Sequence, residues 1–382
     1  MHDVVEAARQ LAPRIRAAAD QIEADRQLPS DLADAIAKAK LWSLLTPAEY
    51  GGADADPLTA IFATEQIGRA DGATGWLTTN SSYEAALLAW LAPVTIEVMR
   101  ATERDIRMAG AIQPQGTAYE VDSGFRVSGH WDFVSGIMHA TWVSVGAWVL
   151  DGPEGTPLRD AEGNQRTRIF FVEPTDGRIE DRWDTLGMRG TGSHDFLLDE
   201  VFVPADRTMR TDEAAHGGNP RWNLPFSQMW GWSLHGGNAV GIARGVIEDL
   251  TTLALHSASK VTPGLLRDRP HVQIAVGEAD AIVRAARAFL LDAVGTAWAS
   301  ACNDPASFEE HDRTARLALL HAVHECARAV DLLYNAVGTP AIFKANRLER
   351  AYRDLQTMKH HIAVSRRHYE EIGAAVLGAD RP

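Results

Sequence analysis

The run Trp131-Asp-Phe-Val-Ser-Gly-Ile-Met-His-Ala-Thr-Trp142 sets a hydroxyl at a Ser135-Gly136 corner. Trp131, Phe133, His139 and Trp142 stand close to it in sequence. A hydroxyl on flexible backbone between aromatic walls can hold a flat ring system and hydrogen-bond its edge, as a flavin-type pocket requires. The other reading of Ser135 is a turn serine that satisfies its own backbone. Near the C-terminus, His360 and His361 offer groups that exchange protons near neutrality. If both lie on a helix they point about 100° apart, so only one can face a pocket squarely.

Three other groups invite chemistry. Gly187-Met-Arg-Gly-Thr-Gly-Ser-His194 looks like a dinucleotide loop. It sits between predicted strands instead of between a strand and a helix, so the Rossmann reading fails on context. Its glycines would still let backbone approach a ligand closely. His321-Ala-Val-His324-Glu325 lacks the His-Glu-x-x-His order of zinc proteases and suggests no third ligand, so no metal site is expected. An amphipathic helix with exposed histidines is the expected context. Arg269, near a helix start, reads as a solvated helix-end arginine.

The elements that must position these residues change texture twice along the chain. Residues 1–108 read as helical. Ser30 is an expected helix cap, with Leu32 and Ile36 at helical spacing. Further helices are expected over Pro57–Ile67 and Thr74–Trp90. A strand pattern runs through 109–215. Tyr119 to Val127 reads as a hairpin turning at Asp122-Ser123-Gly124. Val143, Val145, Ala147 and Val149 alternate as in a half-buried strand. Residues 168–172 and 196–203 are further strands, and 153–165 is a polar loop. Residues 216–382 return to helical period, with long helices expected over 270–300, 312–337 and 346–377. Helices, then strands, then helices argue for an α+β chain of segregated domains.

The bulk numbers fit a soluble globular chain of 382 residues, 46% hydrophobic and 23% charged. A net charge of -14 disfavours nucleic acid and anionic membranes. No apolar run has membrane-spanning length, and the N-terminus lacks a signal peptide's pattern. Cys302 and Cys326, both in helical segments, suggest no disulfide and a cytoplasmic setting.

Four stretches in this order resemble the acyl-CoA dehydrogenase fold. They are Gly124–Gly136, Leu186-Gly-Met-Arg-Gly-Thr-Gly-Ser-His-Asp195, Arg269-Pro-His-Val-Gln273, and Arg350-Ala-Tyr-Arg-Asp-Leu-Gln-Thr-Met-Lys-His-His361. Within that superfamily the chain is similar to the flavin-dependent monooxygenases, including 4-hydroxyphenylacetate, seconandrostatrienedione and dibenzothiophene oxygenases. The resemblance implies an N-terminal helical domain, a central β-barrel, and a C-terminal four-helix bundle that builds a homotetramer. It implies reduced FMN or FAD, supplied by a separate NAD(P)H-dependent flavin reductase, and O2 as co-substrate through a C4a-hydroperoxyflavin.

It also assigns roles. Ser135 would bond flavin N5, with Trp131 and Phe133 as walls. Thr191, Ser193 and His194 would lie near the ring. Arg269 and Gln273 would meet flavin phosphate, across a subunit boundary in related folds. His361, after Arg353-Asp354, would activate or orient the substrate, with His360 as its rival. His139 then loses its claim as a partner. Where phenol hydroxylases carry a substrate histidine after Gly-Trp, this chain has Asn80-Ser-Ser-Tyr83-Glu84, so Tyr83 or Asn80 would contact an aromatic, heteroaromatic or amine substrate. Two rivals stand beside this reading: an acyl-CoA dehydrogenase, which needs a carboxylate base, with Glu370 and Glu371 the acids near the C-terminus; and a binding homologue without chemistry.

Overall fold

The computed structural model describes residues 2–101, 105–216, 227–256 and 264–379. Five helices come first: α1 (His2–Asp25), α2 (Ser30–Lys38), α3 (Pro57–Ala70), α4 (Gly72–Ala86) and α5 (Pro93–Arg100). The expected Ser30 cap is not formed. Pro29 holds the cap position without a side-chain bond, and Ser30 is already helical. Among these five helices, the side-chain caps that form are aspartates. Asp56 accepts from Thr59 N, and Asp71 accepts from Thr74 N at 2.8 Å. The second cap starts α4, which is buried on almost every face and threads the centre of the molecule.

Seven strands follow: β1 (Met108–Val121), β2 (Gly124–Val134), β3 (Trp142–Leu150), β4 (Thr167–Val172), β5 (Arg178–Glu180), β6 (His194–Pro204) and β7 (Thr208–Met209). The β1–β2 hairpin turns where expected, with Ser123 at φ 66° and Val121 opposite Gly124. The strand order is β5-β6-β2-β1-β3-β4-β7, with β1 and β3 parallel and the other pairs antiparallel. The expected barrel is not closed: β5 and β7 are the two edges of one mixed sheet. One face carries a core of its own around Trp131, Phe170 and Phe196.

The remaining helices are α6 (Met229–His256), α7 (Pro270–Asn303), α8 (Phe308–Val337), α9 (Arg347–Met358) and α10 (Arg367–Val376). The single helix expected over 346–377 is therefore broken between Lys359 and Arg366. Helices α3, α6 and α7 are joined by a buried carboxylate: Glu65 is 2% exposed and holds Arg244 at 2.6 Å and Arg287 at 2.8 Å. Two cations on one carboxylate compensate its desolvation. Neither cysteine forms a disulfide; Cys302 is exposed and Cys326 buried. Among the described residues, no helix is long and apolar enough to cross a membrane.

Candidate active site

A cavity of about 700 Å³ opens between α4, the sheet, the 183–193 loop, the start of α6 and the end of α9. That volume is within the usual range for ligand pockets, about 300–1,000 Å³. Trp76, Asn80 and Glu84 line it from α4. They are spaced by four, so they fall on one helical face, with Tyr83 beside them. From the sheet side come Gly110–Gln113, Gln115, Phe133 and Ser135. The β1–β3 pairing shifts register between Ala111 and Pro114, leaving Ile112 and Gln113 outside the ladder and on the cavity wall. A Cβ on Gly146 would lie 2.0 Å from the Ile112 carbonyl oxygen, so this bulge needs glycine opposite it.

Ser135 is buried at the corner the sequence suggested, 7% exposed. The chain turns there through left-handed Phe133 (φ 63°) and Gly136 (φ 79°). Gly136 N donates to Thr191 O at 2.9 Å, tying the corner to the glycine-rich loop. The Ser135 hydroxyl accepts from Trp76 Nε1 at 3.1 Å and lies 2.8 Å from Ser193 Oγ. Ser193 Oγ is 2.7 Å from Thr191 Oγ1, which donates to Met188 O at 2.8 Å. That last bond fixes the direction of the chain. The Thr191 proton goes to a carbonyl, so Thr191 accepts from Ser193, and Ser193 accepts from Ser135. Ser135 thus spends its one proton inside the protein and keeps a lone pair for the cavity.

His361 lies beyond the end of α9, in extended backbone at φ -70°, ψ 144°. The helical argument that separated it from His360 does not apply, and both residues line the cavity. They differ in setting. His360 is exposed. The His361 ring meets the Trp76 edge at 5.0 Å and the His235 ring at 4.9 Å. Burial pulls its pKa down to about 4, so the ring is neutral at physiological pH. Its Nδ1 accepts from Ala363 N at 3.3 Å, which puts the proton of the neutral ring on Nε2. Trp76 links the two ends of the site, bonding Ser135 with its N–H and packing on His361 with its ring.

Several expected positions fall elsewhere. Trp131 is fully buried in the sheet core and donates to Gly146 O at 2.7 Å, so it is no cavity wall. His194 is 6% exposed; its Nδ1 lies 3.2 Å from Asp181 and it does not line the cavity. Thr191 stands behind Ser193 in the hydroxyl chain. Arg269 occupies the N-cap position of α7 without a side-chain capping bond, and Gln273 Nε2 donates to Arg267 O; neither lines the cavity within one chain. Tyr83 and Asn80 both line it. Burial and the neighbouring Glu84 raise the Tyr83 hydroxyl pKa well above its usual value. His139 packs near Trp42 at 5.9 Å, away from the cavity. Glu370 and Glu371 are on α10, outside the lining.

The expected exposed histidines of α8 are half-buried. His324 Nε2 bonds Val364 O at 3.1 Å, and His321 packs near Phe289. Among the described residues, His130, Glu180 and Asp195 bring ligand-type atoms together on β2, β5 and β6, outside the cavity lining. Within this cluster His130 and Asp195 share a 2.8 Å cross-strand hydrogen bond, and Glu180 accepts from Arg178.

The sequence reading gave no role to Glu84, His235 or Trp183. Glu84 had a signal, its spacing of four from Asn80 and eight from Trp76. Its carboxyl is buried, receives a hydrogen bond from Ser144 Oγ, and is pushed up to about 8 by desolvation. His235 is 2% exposed, its ring 4.4 Å from Trp76, and its pKa falls well below the ordinary value through burial and then through His361. Trp183 packs edge-on to Phe133 at 6.1 Å and donates to Met188 O.

Residues 2–91 match the acyl-CoA dehydrogenase N-terminal domain, and residues 233–366 match the acyl-CoA dehydrogenase C-terminal domain. The chain is 30% identical over 373 residues to an indole-3-acetate monooxygenase of Pseudomonas putida, covering 96% of this chain and 91% of that one. It is 28% identical to the oxygenase subunit HsaA of a flavin-dependent monooxygenase from Rhodococcus jostii, covering 92% of each. The crystal structure of a 3-HSA hydroxylase from a Rhodococcus superposes with a TM-score of 0.88 at 26% identity, over 100% of this chain and 98% of that one. The chain therefore belongs to the acyl-CoA dehydrogenase fold family, in its branch of flavin-dependent monooxygenases.

Proposed function

We propose that this chain is the oxygenase component of a two-component flavin-dependent monooxygenase that oxygenates a flat aromatic, heteroaromatic or amine substrate. The observation that carries the reading is Ser135. Its hydroxyl is buried, its proton is committed to Ser193, and a lone pair is left toward a cavity that also contains His361. Reduced flavin carries a proton on N5, and that N–H is the donor such a lone pair accepts. The bulged Ile112 and Gln113 backbone suits the polar edge of the same ring system. Phe133, Trp183 and Trp76 supply flat apolar surface. When bound, the reduced flavin would supply the two electrons that activate O2, one oxygen atom passing to the substrate and the other leaving as water.

The chain's own residues position and enclose. Ser135 holds the ring edge. His361, neutral with its proton on Nε2, orients the substrate by donating a hydrogen bond. With a pKa near 4 it is a weak base, so orientation outweighs proton removal. His235 backs His361, and the buried aromatic shell keeps water away. Asn80 and Tyr83 contact the substrate from α4.

Further parts of the reading rest on the family. The chain divides near residues 108 and 215, α6 to α9 form the bundle of a homotetramer, and Arg269 and Gln273 reach a neighbour's flavin phosphate. FMN or FAD comes from a separate NAD(P)H-dependent reductase in the cytoplasm. The test is stopped-flow absorbance: protein with reduced FMN or FAD is mixed with O2 and followed in the near ultraviolet. A transient that needs the protein is expected. Flavin oxidation at the same rate and with the same spectra as in buffer would sink the proposal.

A further inference from the structure

Glu84 is a carboxyl in an aromatic cavity with no cation beside it. It is 4% exposed and lies on the α4 face that carries Trp76 and Asn80. Ser144 Oγ engages Oε2, and among the described residues Oε1 has no hydrogen-bond partner. The position is kept open for it. A Cβ on Gly110 would stand 2.6 Å from Glu84 Oε2 and 2.2 Å from Ser144 Oγ, so a larger residue would push the carboxyl away.

The charge inventory is one-sided. Among the described residues lining the cavity there are two acids, Glu84 and Asp132, and no lysine or arginine. The guanidinium of Arg316 lies over Trp232 at 5.7 Å, but it is paired with Asp312 at 2.8 Å. His361 is neutral and adds no countercharge. A buried acid without a protein cation is strongly penalised when ionised.

We propose that Glu84 makes the cavity select flat aromatic substrates bearing an amine and reject aryl carboxylates. The proposal rests on the monooxygenase reading for the chemistry that follows, but not for binding itself. An ammonium placed against Oε1 supplies the missing positive partner and favours the ionised acid. An aryl carboxylate instead brings a negative charge into a cavity with no lysine or arginine to neutralise it. The chain would then differ in substrate class from the indole-3-acetate monooxygenase it resembles.

Calorimetric titration of the full chain with tryptamine, indole and indole-3-acetate tests this with one ring system in three charge states. About 0.3 M salt screens the net charge of -14, so that local contacts decide. Tryptamine should bind at least about tenfold more tightly than indole-3-acetate, with indole between them. In Glu84→Gln, which keeps the shape and the Ser144 contact, the ratio should shrink to within about threefold. Equal or tighter binding of indole-3-acetate by the wild type would overturn the proposal. So would an unchanged ratio in Glu84→Gln, or failure of all three probes to bind. If Glu84→Gln does not fold, the wild-type ratio decides alone. The titration needs no flavin and no turnover, so its outcome is separate from that of the stopped-flow experiment.

Discussion

Ser135 is held by Trp76, Ser193 and its own turn, so replacing it disturbs a defined set of bonds. In Ser135→Ala the Trp76 N–H loses its acceptor and the cavity loses its lone pair. One net hydrogen bond corresponds to about 0.5–1.5 kcal/mol, so the near-ultraviolet transient should decay roughly two- to tenfold faster. An unchanged lifetime would remove Ser135 from the mechanism. His361 makes a prediction about acid stability. Its pKa is depressed, from an ordinary value near 6.5 to about 4. The folded chain therefore resists protonation where the unfolded chain accepts it. This contribution is fully present above about pH 6.5 and is lost as pH falls toward 4. It amounts to about 2 kcal/mol by pH 5. His361→Asn should flatten the fall in Tm between pH 7 and 5, and parallel Tm curves for variant and wild type would contradict the burial argument. Normal product yield in His361→Ala, with loss in His360→Ala, would move the substrate-orienting role to His360.

The elements explain why parts of the site were legible and others were not. The β1–β2 turn is a local signal and holds; Val143, Val145, Ala147 and Val149 do lie on β3, but 142–147 are all buried, so that strand is covered on both faces and is not half-buried as its alternation suggested. Trp131 and Phe133 are expected as walls together because both stand close to Ser135 in sequence and the family resemblance pairs them. The β2–β6 register shifts between Trp131 and Val134, and Phe133 turns left-handed, which sends Trp131 into the sheet core and leaves Phe133 at the cavity. The end of α9 had no local signal, since no proline or glycine interrupts Met358 to Ser365. Tertiary contacts hold the break: His361 packs on Trp76 and His235, and His324 bonds Val364 O. The same helix anchors the glycine-rich loop, because Asp354 accepts from Met188 N at 2.6 Å. Burial, and then Asp71, raise the Asp354 carboxyl to about 7. Asp354→Ala should free the loop that carries Thr191 and Ser193, at a cost of roughly 1–3 kcal/mol for leaving the buried Met188 N–H without an acceptor. Flavin affinity should fall with it by about tenfold. Asp354→Asn keeps an acceptor and should remain near wild type. Thermal unfolding and flavin titration of both variants would read this, and an alanine variant as stable as wild type would refute the anchor.

At the scale of the molecule, the exposed apolar side chains call for a partner. Ile274 on α7 is 68% exposed, one residue from Gln273 and near Arg269. Ile342 and Phe343, between α8 and α9, are each 60% exposed. Residues of this type are normally covered when several are large and exposed. Arg269 and Gln273 do not line the cavity of their own chain, yet they stand next to exposed Ile274 at the start of α7. Both facts follow if the face is covered by a second chain and the two polar residues serve that chain's flavin. With the homotetramer that the family resemblance implies, light scattering should give a mass four times 41.6 kDa. Ile274→Glu would bury a charge at the interface and should yield smaller species. Arg269→Ala should leave the assembly intact while weakening flavin binding about tenfold, by loss of a phosphate contact. A monodisperse 41.6 kDa particle that binds reduced flavin with wild-type affinity would refute both the assembly and the shared site.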